Sequence, residues 1–248
     1  MIAALFLALL ALSFLLGSIP WGLIVSKAFF KTDIRDQGSG NIGATNAVRS
    51  MGAAGGAAVF LLDAGKGALA GALACFVFTP LLAGEHALGM VELFKLITGD
   101  AAAAEAAVRA GQVSMLCASV AFFGCTAGHI FSPWLGFHGG KGISVAFGCE
   151  FFALTPVGAL IELALFAVLT LATRIVSVGS IAAAVLCPFL ALWICWGCWP
   201  AIALITAAAL LVIWAHRGNI KRLCAGEEPR FGSKGARPDK ADAAHEEG

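Results

Sequence analysis

Seven stretches of the chain are almost wholly apolar, at about residues 2–26, 53–82, 112–131, 143–155, 157–173, 177–195 and 199–216. A helix needs about 20 residues to cross the hydrocarbon core of a bilayer, so the first three are spans on length alone. Residues 143–173 are too long for one upright helix and short for two, and Thr155-Pro156-Val157-Gly158 breaks them midway. Residues 177–216 are divided in the same way by Trp196-Gly197-Cys198-Trp199-Pro200. Proline removes a backbone donor and glycine relaxes the chain, so both breaks suit tight turns between short spans. The pattern predicts an all-α integral membrane protein of seven transmembrane helices, several of them short and broken by Gly and Pro.

Composition agrees. The chain is 60% hydrophobic and only 12% charged, with a mean hydropathy of +0.90. A soluble domain carries about 25% charged residues. So much apolar surface cannot be hidden in one core of 248 residues, and lipid must be the solvent. Ile2–Ser26 lacks a basic leader and a small-residue cleavage site, and is read as a retained first span. Residues 1–225 form one membrane domain; residues 226–248, charged and small, are expected to be a flexible tail. Residues 84–110 read as a polar, alanine-rich outer loop with an amphipathic helix over Ala101–Arg109.

The net charge of +1 names no partner, but the placement of the charges sets an orientation. With seven spans and an outer N-terminus, the inner side holds 13 of the 16 Lys and Arg, seven of them between Arg217 and Lys240. One span fewer would put those seven outside, against the positive-inside rule. The C-terminus is therefore expected to be cytoplasmic. The eight cysteines lie mostly in apolar runs, where a thiol behaves as a small hydrophobe. Cys195-x-x-Cys198, beside Trp196 and Trp199, reads as thiols at a membrane interface rather than a redox or metal pair.

Four inner segments carry chemistry. The first runs from Asp33 to Arg49, where Gly38, Gly40 and Gly43 match G-x-G-x-x-G. No strand precedes the match and no βαβ unit follows it, so it is no dinucleotide fingerprint. Glycines still let main-chain N–H groups converge on an anion, with donors added by Ser39, Asn41 and Thr45, and Arg49 can supply a planar bidentate charge to a phosphate. The plainer reading is a tight turn. The second segment holds Gly139, Gly140 and Gly142 around Lys141, a lysine in a glycine nest without Walker spacing. Nucleotide hydrolysis is not expected, and the plainer reading is a lysine anchored at the interface. His129 and His138 have no carboxylate or cysteine at metal spacing beside them. The third pairs Ser177 and Ser180 one helical turn apart; both could simply bond the preceding turn. The fourth, from His216 to Arg222, places His216 and Asn219 on one helix face. Within the second span, Asp63 and Lys66 sit one turn apart and are expected to pair and to support the loops from beneath. Under the seven-span count all four segments share the inner surface.

At these residues the chain resembles the acyl-phosphate-dependent glycerol-3-phosphate acyltransferases of bacterial membranes. The likeness includes Gly17-Ser-Ile-Pro-Trp-Gly22, the Asp33–Arg49 run, Asp63-x-x-Lys66-Gly67, Gly128-His129, Phe137–Gly142, and His216-x-x-Asn219-Ile with Gly226-Glu227. It spans nearly the whole chain. The resemblance implies seven spans, an outer N-terminus and a site on the cytoplasmic side of the cell membrane. It implies transfer of a fatty acyl group from acyl phosphate to the 1-hydroxyl of sn-glycerol 3-phosphate, giving lysophosphatidic acid and phosphate, the first step of phospholipid synthesis. Partners would be those two substrates, the bilayer, and the soluble enzyme that makes acyl phosphate from acyl carrier protein. No metal, coenzyme A or nucleic acid is implied. Carried over by motif, Ser39, Lys141, His216 and Asn219 would be catalytic. Gly38, Gly40, Asn41, Thr45, Arg49, Gly139, Gly140, Gly142 and Ser177 or Ser180 would bind phosphate. Other glycerolipid acyltransferases use His-x-x-x-x-Asp, but Val91, Trp134, Ile143 and Lys221 stand five residues after His86, His129, His138 and His216. Direct transfer between bound phosphates is the expected mechanism, with His216 and Asn219 positioning groups. An organophosphate permease with a phosphate-binding cytoplasmic gate is the alternative; it would want ionisable residues in several spans, and besides Asp63 and Lys66 there are only Glu150 and Glu162. A lipid phosphatase would need a metal cluster or nucleophile that the sequence does not display.

Overall fold

The structure is a computed structural model that describes residues 1–83 and 101–230, and among these every regular element is helical. In chain order they are α1 (Ile2–Ser18), α2 (Trp21–Phe30), α3 (Ala44–Leu73), α4 (Thr79–Ala83), α5 (Ala101–Ile130), α6 (Ile143–Ala153), α7 (Thr155–Thr173), α8 (Val176–Ile194), α9 (Trp199–Ala215) and α10 (Arg217–Cys224). A π-helical turn, Ala74–Phe78, joins α3 to α4. Gly52, at φ 74°, breaks the helical dihedrals within α3. α1 and α2 form one apolar stretch bent at Pro20.

Both expected breaks are present. α6 stops at Ala153 and α7 starts at Thr155, with Pro156 in its first turn. α8 stops at Ile194 and α9 starts at Trp199, with Pro200 in its first turn. Among the described residues, five helical spans are long and apolar enough to cross a membrane, with α1–α2 and α3–α4 each counted as one, and a sixth is added if α9 and α10, bent by 54° at His216, count together. α6 has 11 residues and rises only about 16 Å. The helix expected over Ala101–Arg109 is continuous with α5, because nothing between Ala101 and Gln112 breaks an alanine-rich run. The rest of the expected outer loop, residues 84–100, and the tail beyond Arg230 lie outside the described residues.

Lipid tails are as apolar as leucine, so close backbone approach has to hold the helices together. α1 packs along α5 and α3 along α6. A Cβ at Gly17 would overlap the Cys125 carbonyl, and one at Gly128 the Phe14 carbonyl. Gly67 and Gly148 meet the backbones of Val145 and Ala64 in the same reciprocal way. The core along these seams includes Leu9, Phe122, Val145, Leu154 and Ile205. A second, smaller cluster of Val25, Ile34, Ile42 and Val59 sits under the Asp33–Arg49 segment. Exposed tryptophans gather at the two ends of the bundle: Trp193, Trp196 and Trp199 around the α8–α9 turn, Trp134 and Trp214 beside the glycine loops. This is where amphipathic rings meet a membrane–water interface.

Candidate functional site

The first loop is folded around one side chain. Asn46 is 2% exposed. Its Nδ2 lies 3.1 Å from the Ile34 carbonyl, 3.0 Å from Gln37 and 2.8 Å from Asn41, while its Oδ1 accepts from the Ser39 N–H at 2.9 Å. Gly38 and Gly40 adopt φ of 56° and 69°, the left-handed conformations that let the chain wrap this amide. Asn41 Oδ1 accepts from the Gly43 N–H at 2.9 Å, just ahead of the first turn of α3. Ser39, Thr45 and Arg49 consequently stand exposed around a helix N-terminus, a place that suits an anion. Asn46 was not singled out in the sequence. A lone Asn in Thr-Asn-Ala has no spacing signal, and its role exists only once the loop closes.

The second loop rests on a buried polar cluster. Lys66 Nζ pairs with Asp63 at 2.8 Å, donates to the Ile19 carbonyl at 2.6 Å and meets His129 Nδ1 at 3.0 Å. All three side chains are buried. His129 lies directly beneath the glycine loop, since a Cβ on Gly140 would strike its Nε2. The Gly140 N–H bonds the His129 carbonyl at 3.0 Å, and the Gly139 N–H bonds Ile130 at 2.9 Å. Gly142, at φ 89°, then turns the chain into α6. Asp63 and Lys66 do pair, and His129 is the third member of their cluster. Its ring nitrogen meets an ammonium, the opposite of a metal ligand's environment.

Above this cluster a cavity of about 270 Å³ is lined by Ser39 and Asn41 of the first loop, Lys141 of the second, and Arg217, Asn219 and Arg222 of α10. Three of the four sequence segments meet there. The third, at Ser177, joins through a residue that the sequence places in the tail. Glu228 Oε1 accepts from Ser177 Oγ at 2.8 Å and from the Asn219 amide, and Oε2 accepts from Arg222 Nε at 2.7 Å. Ser180 is buried one turn deeper in α8. Gly226, at φ 73°, turns the chain back after α10 so that Glu228 can reach these donors. A Gly just past a helix is a turn-back signal visible in sequence. Burial alone would raise the Glu228 carboxyl, but the bonds from Asn219, Ser177 and Arg222 outweigh it and hold the group below the usual glutamate range.

Burial drives the Lys141 ammonium down to about 8; Glu228 opposes this, while Arg222 and Arg49 add to it. Crowded cations with too few anions are what a phosphate relieves. His216 is 2% exposed, between cavity-lining Ala215 and Arg217, and its Nδ1 lies 2.8 Å from the Val212 carbonyl. A carbonyl can only accept, so Nδ1 carries the proton and the Nε2 lone pair is left for another partner. Arg217 instead stacks on Trp214, 4.0 Å from the ring centroid, an interfacial anchor.

Comparison with known proteins agrees with this arrangement. The model of the family described as glycerol-3-phosphate acyltransferase matches residues 7–226. A glycerol-3-phosphate acyltransferase of Thermosynechococcus vestitus is 37% identical over 94% of this chain and 99% of its own length. One from Maricaulis maris is 36% identical over 92% and 88%. Among solved structures, the glycerol 3-phosphate form of PlsY (YgiH), an integral membrane glycerol 3-phosphate acyltransferase, superposes with a TM-score of 0.71 at 28% identity, covering 92% of this chain and 96% of that one. Its lysophosphatidic acid form gives 0.68 at 27% identity. With a family model covering residues 7–226 of the chain, and with the glycine loops, Lys141 and Asn219 gathered at one cavity, this chain belongs to the glycerol-3-phosphate acyltransferase family.

Proposed function

We propose that this protein transfers a fatty acyl group from acyl phosphate to the 1-hydroxyl of sn-glycerol 3-phosphate, releasing lysophosphatidic acid and inorganic phosphate. The observation that carries the reading is the cavity that joins Ser39, Asn41, Lys141, Asn219 and Arg222 under a family match of this breadth. Lys141 and Arg49 balance phosphate charge, while Ser39, Thr45 and the N–H groups of Gly38 and Gly142 donate to phosphate oxygens. Gly40, Gly139 and Gly140, expected as donors, spend their N–H groups on the carbonyls of Gln37, Ile130 and His129 and shape the loops instead. Ser177, rather than Ser180, belongs to the site, because its hydroxyl shares Glu228 with Asn219. The hydroxyl oxygen attacks the acyl carbonyl, the carbonyl–phosphate C–O bond breaks, and the departing phosphate takes the hydroxyl proton. His216, with Nδ1 committed to Val212, presents Nε2 as an acceptor that orients the hydroxyl. Bringing two anions together in one cationic pocket supplies proximity and stabilises the leaving group.

In this reading the chain crosses a bacterial cell membrane seven times with α6 as a short span, the N-terminus outside and the C-terminus cytoplasmic. The site then faces the soluble enzyme that makes acyl phosphate. A permease would draw on the same loops as a gate, but membership of an acyltransferase family supports the enzyme. The test is purified protein with glycerol 3-phosphate and, in parallel, acyl phosphate, acyl-coenzyme A and acyl carrier protein thioester. Lysophosphatidic acid with equimolar phosphate, from acyl phosphate alone, is expected; product from a thioester and none from acyl phosphate would overturn the donor assignment.

Two outcomes follow. Lys141 is useful only while charged, and in the free protein it loses its proton near pH 8. The rate constant kcat/KM is therefore expected to fall as pH rises through about 8. Bound phosphate favours the ammonium, so the kcat limb should lie higher. Lys141→Arg, charged throughout, should remove the limb whatever its residual rate, as pH–rate profiles would show. Glu228→Ala frees Ser177, Asn219 and Arg222 at once. Misplacement of this order lowers kcat/KM by about 10²-fold, with Glu228→Gln milder, in steady-state kinetics.

A further inference from the structure

A second polar cluster lies inside the bundle, away from the cavity. Glu150 of α6, Glu162 of α7 and Cys187 of α8 are 5%, 3% and 2% exposed, and one donor atom from each lies within 4.8 Å of the others. They stand 12 and 25 residues apart along the chain, so no local spacing announces them. Among the described residues, buried Glu162 Oε1 meets no hydrogen-bond partner. An orphaned carboxylate oxygen in a lipid-embedded core is costly unless something positive or hydrogen-bonding meets it. The cluster does not serve the phosphate site. Cys187 is ten residues along α8 from Ser177, about 15 Å, and Glu150 lies nine residues beyond Lys141.

We propose that Glu150, Glu162 and Cys187 form a binding site for one divalent cation of zinc-like character, which ties α6, α7 and α8 together within the membrane. The donor set selects the ion: carboxylate oxygens with a single sulfur favour Zn²⁺ or Cd²⁺ over Mg²⁺ or Ca²⁺, which take oxygen alone. Zinc bonds of about 2.0–2.3 Å bring donors to roughly 3.5 Å of one another, a side-chain rotation from the spacing seen. On binding, the Cys187 thiol and both carboxyls each release a proton to solvent, because such ligands bind deprotonated, and the ion's two charges leave the site with one net negative charge. A fourth position is left for water. Three neighbouring helices would be cross-linked where two of them, α6 and α7, are joined only by a one-residue break at Leu154.

Full-length protein in detergent, stripped with chelator and dialysed against micromolar Zn²⁺, is expected to retain one zinc per chain by elemental analysis. Cys187→Ser and the isosteric Glu162→Gln should each weaken retention at least about tenfold. Cys198→Ser, which removes a different buried thiol, should leave it unchanged. Cd²⁺ loading should produce a thiolate-to-cadmium charge-transfer band that disappears in Cys187→Ser. Failure of the chain to retain stoichiometric zinc would overturn the site. Equal retention by Cys187→Ser or Glu162→Gln, each shown folded by an unchanged gel-filtration profile, would overturn it as well.

Discussion

Replacing Lys141 by alanine is expected to abolish acyl transfer, with kcat/KM lowered by about 10³-fold and the protein still folded. The magnitude is that of losing a preorganised charge aimed at a developing anion, about 10²–10³ in rate for one donor in a water-poor site. Lys141 is placed for this by its loop, whose Gly139 and Gly140 are bonded back to Ile130 and His129, and it shares the cavity with Ser39 and Asn219. Its own folding contribution is small, because the cavity remains and no buried partner is stranded. The change should leave thermal denaturation of the detergent-purified enzyme within a few degrees of wild type. Unimpaired turnover by Lys141→Ala would remove the cationic pocket from the mechanism.

Lys66→Ala is expected to do the reverse, unfolding first and inactivating as a consequence. It leaves Asp63 buried at 1% exposure with no counter-charge, and frees the Ile19 carbonyl and His129 Nδ1 as well. Breaking a buried ion pair from one side costs about 3–5 kcal/mol. The double change Asp63→Asn with Lys66→Met removes both charges and should recover much of that stability. It should not restore the rate, because His129 would no longer be held under Gly140. Thermal melts beside rate measurements separate the two effects. An unchanged melting temperature in Lys66→Ala would show that the cluster does not support the loop.

Much of this arrangement is legible in the sequence because its punctuation is chemical. Pro156 and Pro200 mark real helix starts, since a proline in the first turn gives up no helical hydrogen bond. Asp63 and Lys66 announce their pair by helical spacing in an otherwise apolar run. What was hidden depends on return of the chain through space. Asn46 bonds residues 5 to 12 positions behind it, and only the closed loop makes it a hub. Glu228 looked like one more charge in a solvated tail, and the turn at Gly226 brings it against Ser177, 51 residues away. Its side chain is only 6% exposed. Lys141 and His216 are joined to one site by packing of α9 on α5 and of α5 on α6, which no periodicity encodes. The seam glycines were visible as glycines, but Gly67 against Val145 and Gly148 against Ala64 name their partners only in the fold.

Direct transfer between two bound phosphates can be tested without any variant. Protein incubated with acyl phosphate labelled in its acyl chain, and no glycerol 3-phosphate, is examined by intact mass after rapid quenching. No acylated protein is expected, and label should appear only in lysophosphatidic acid once glycerol 3-phosphate is added. A stoichiometric acyl adduct that glycerol 3-phosphate then discharges would contradict the account and require a nucleophile in place of the cationic pocket.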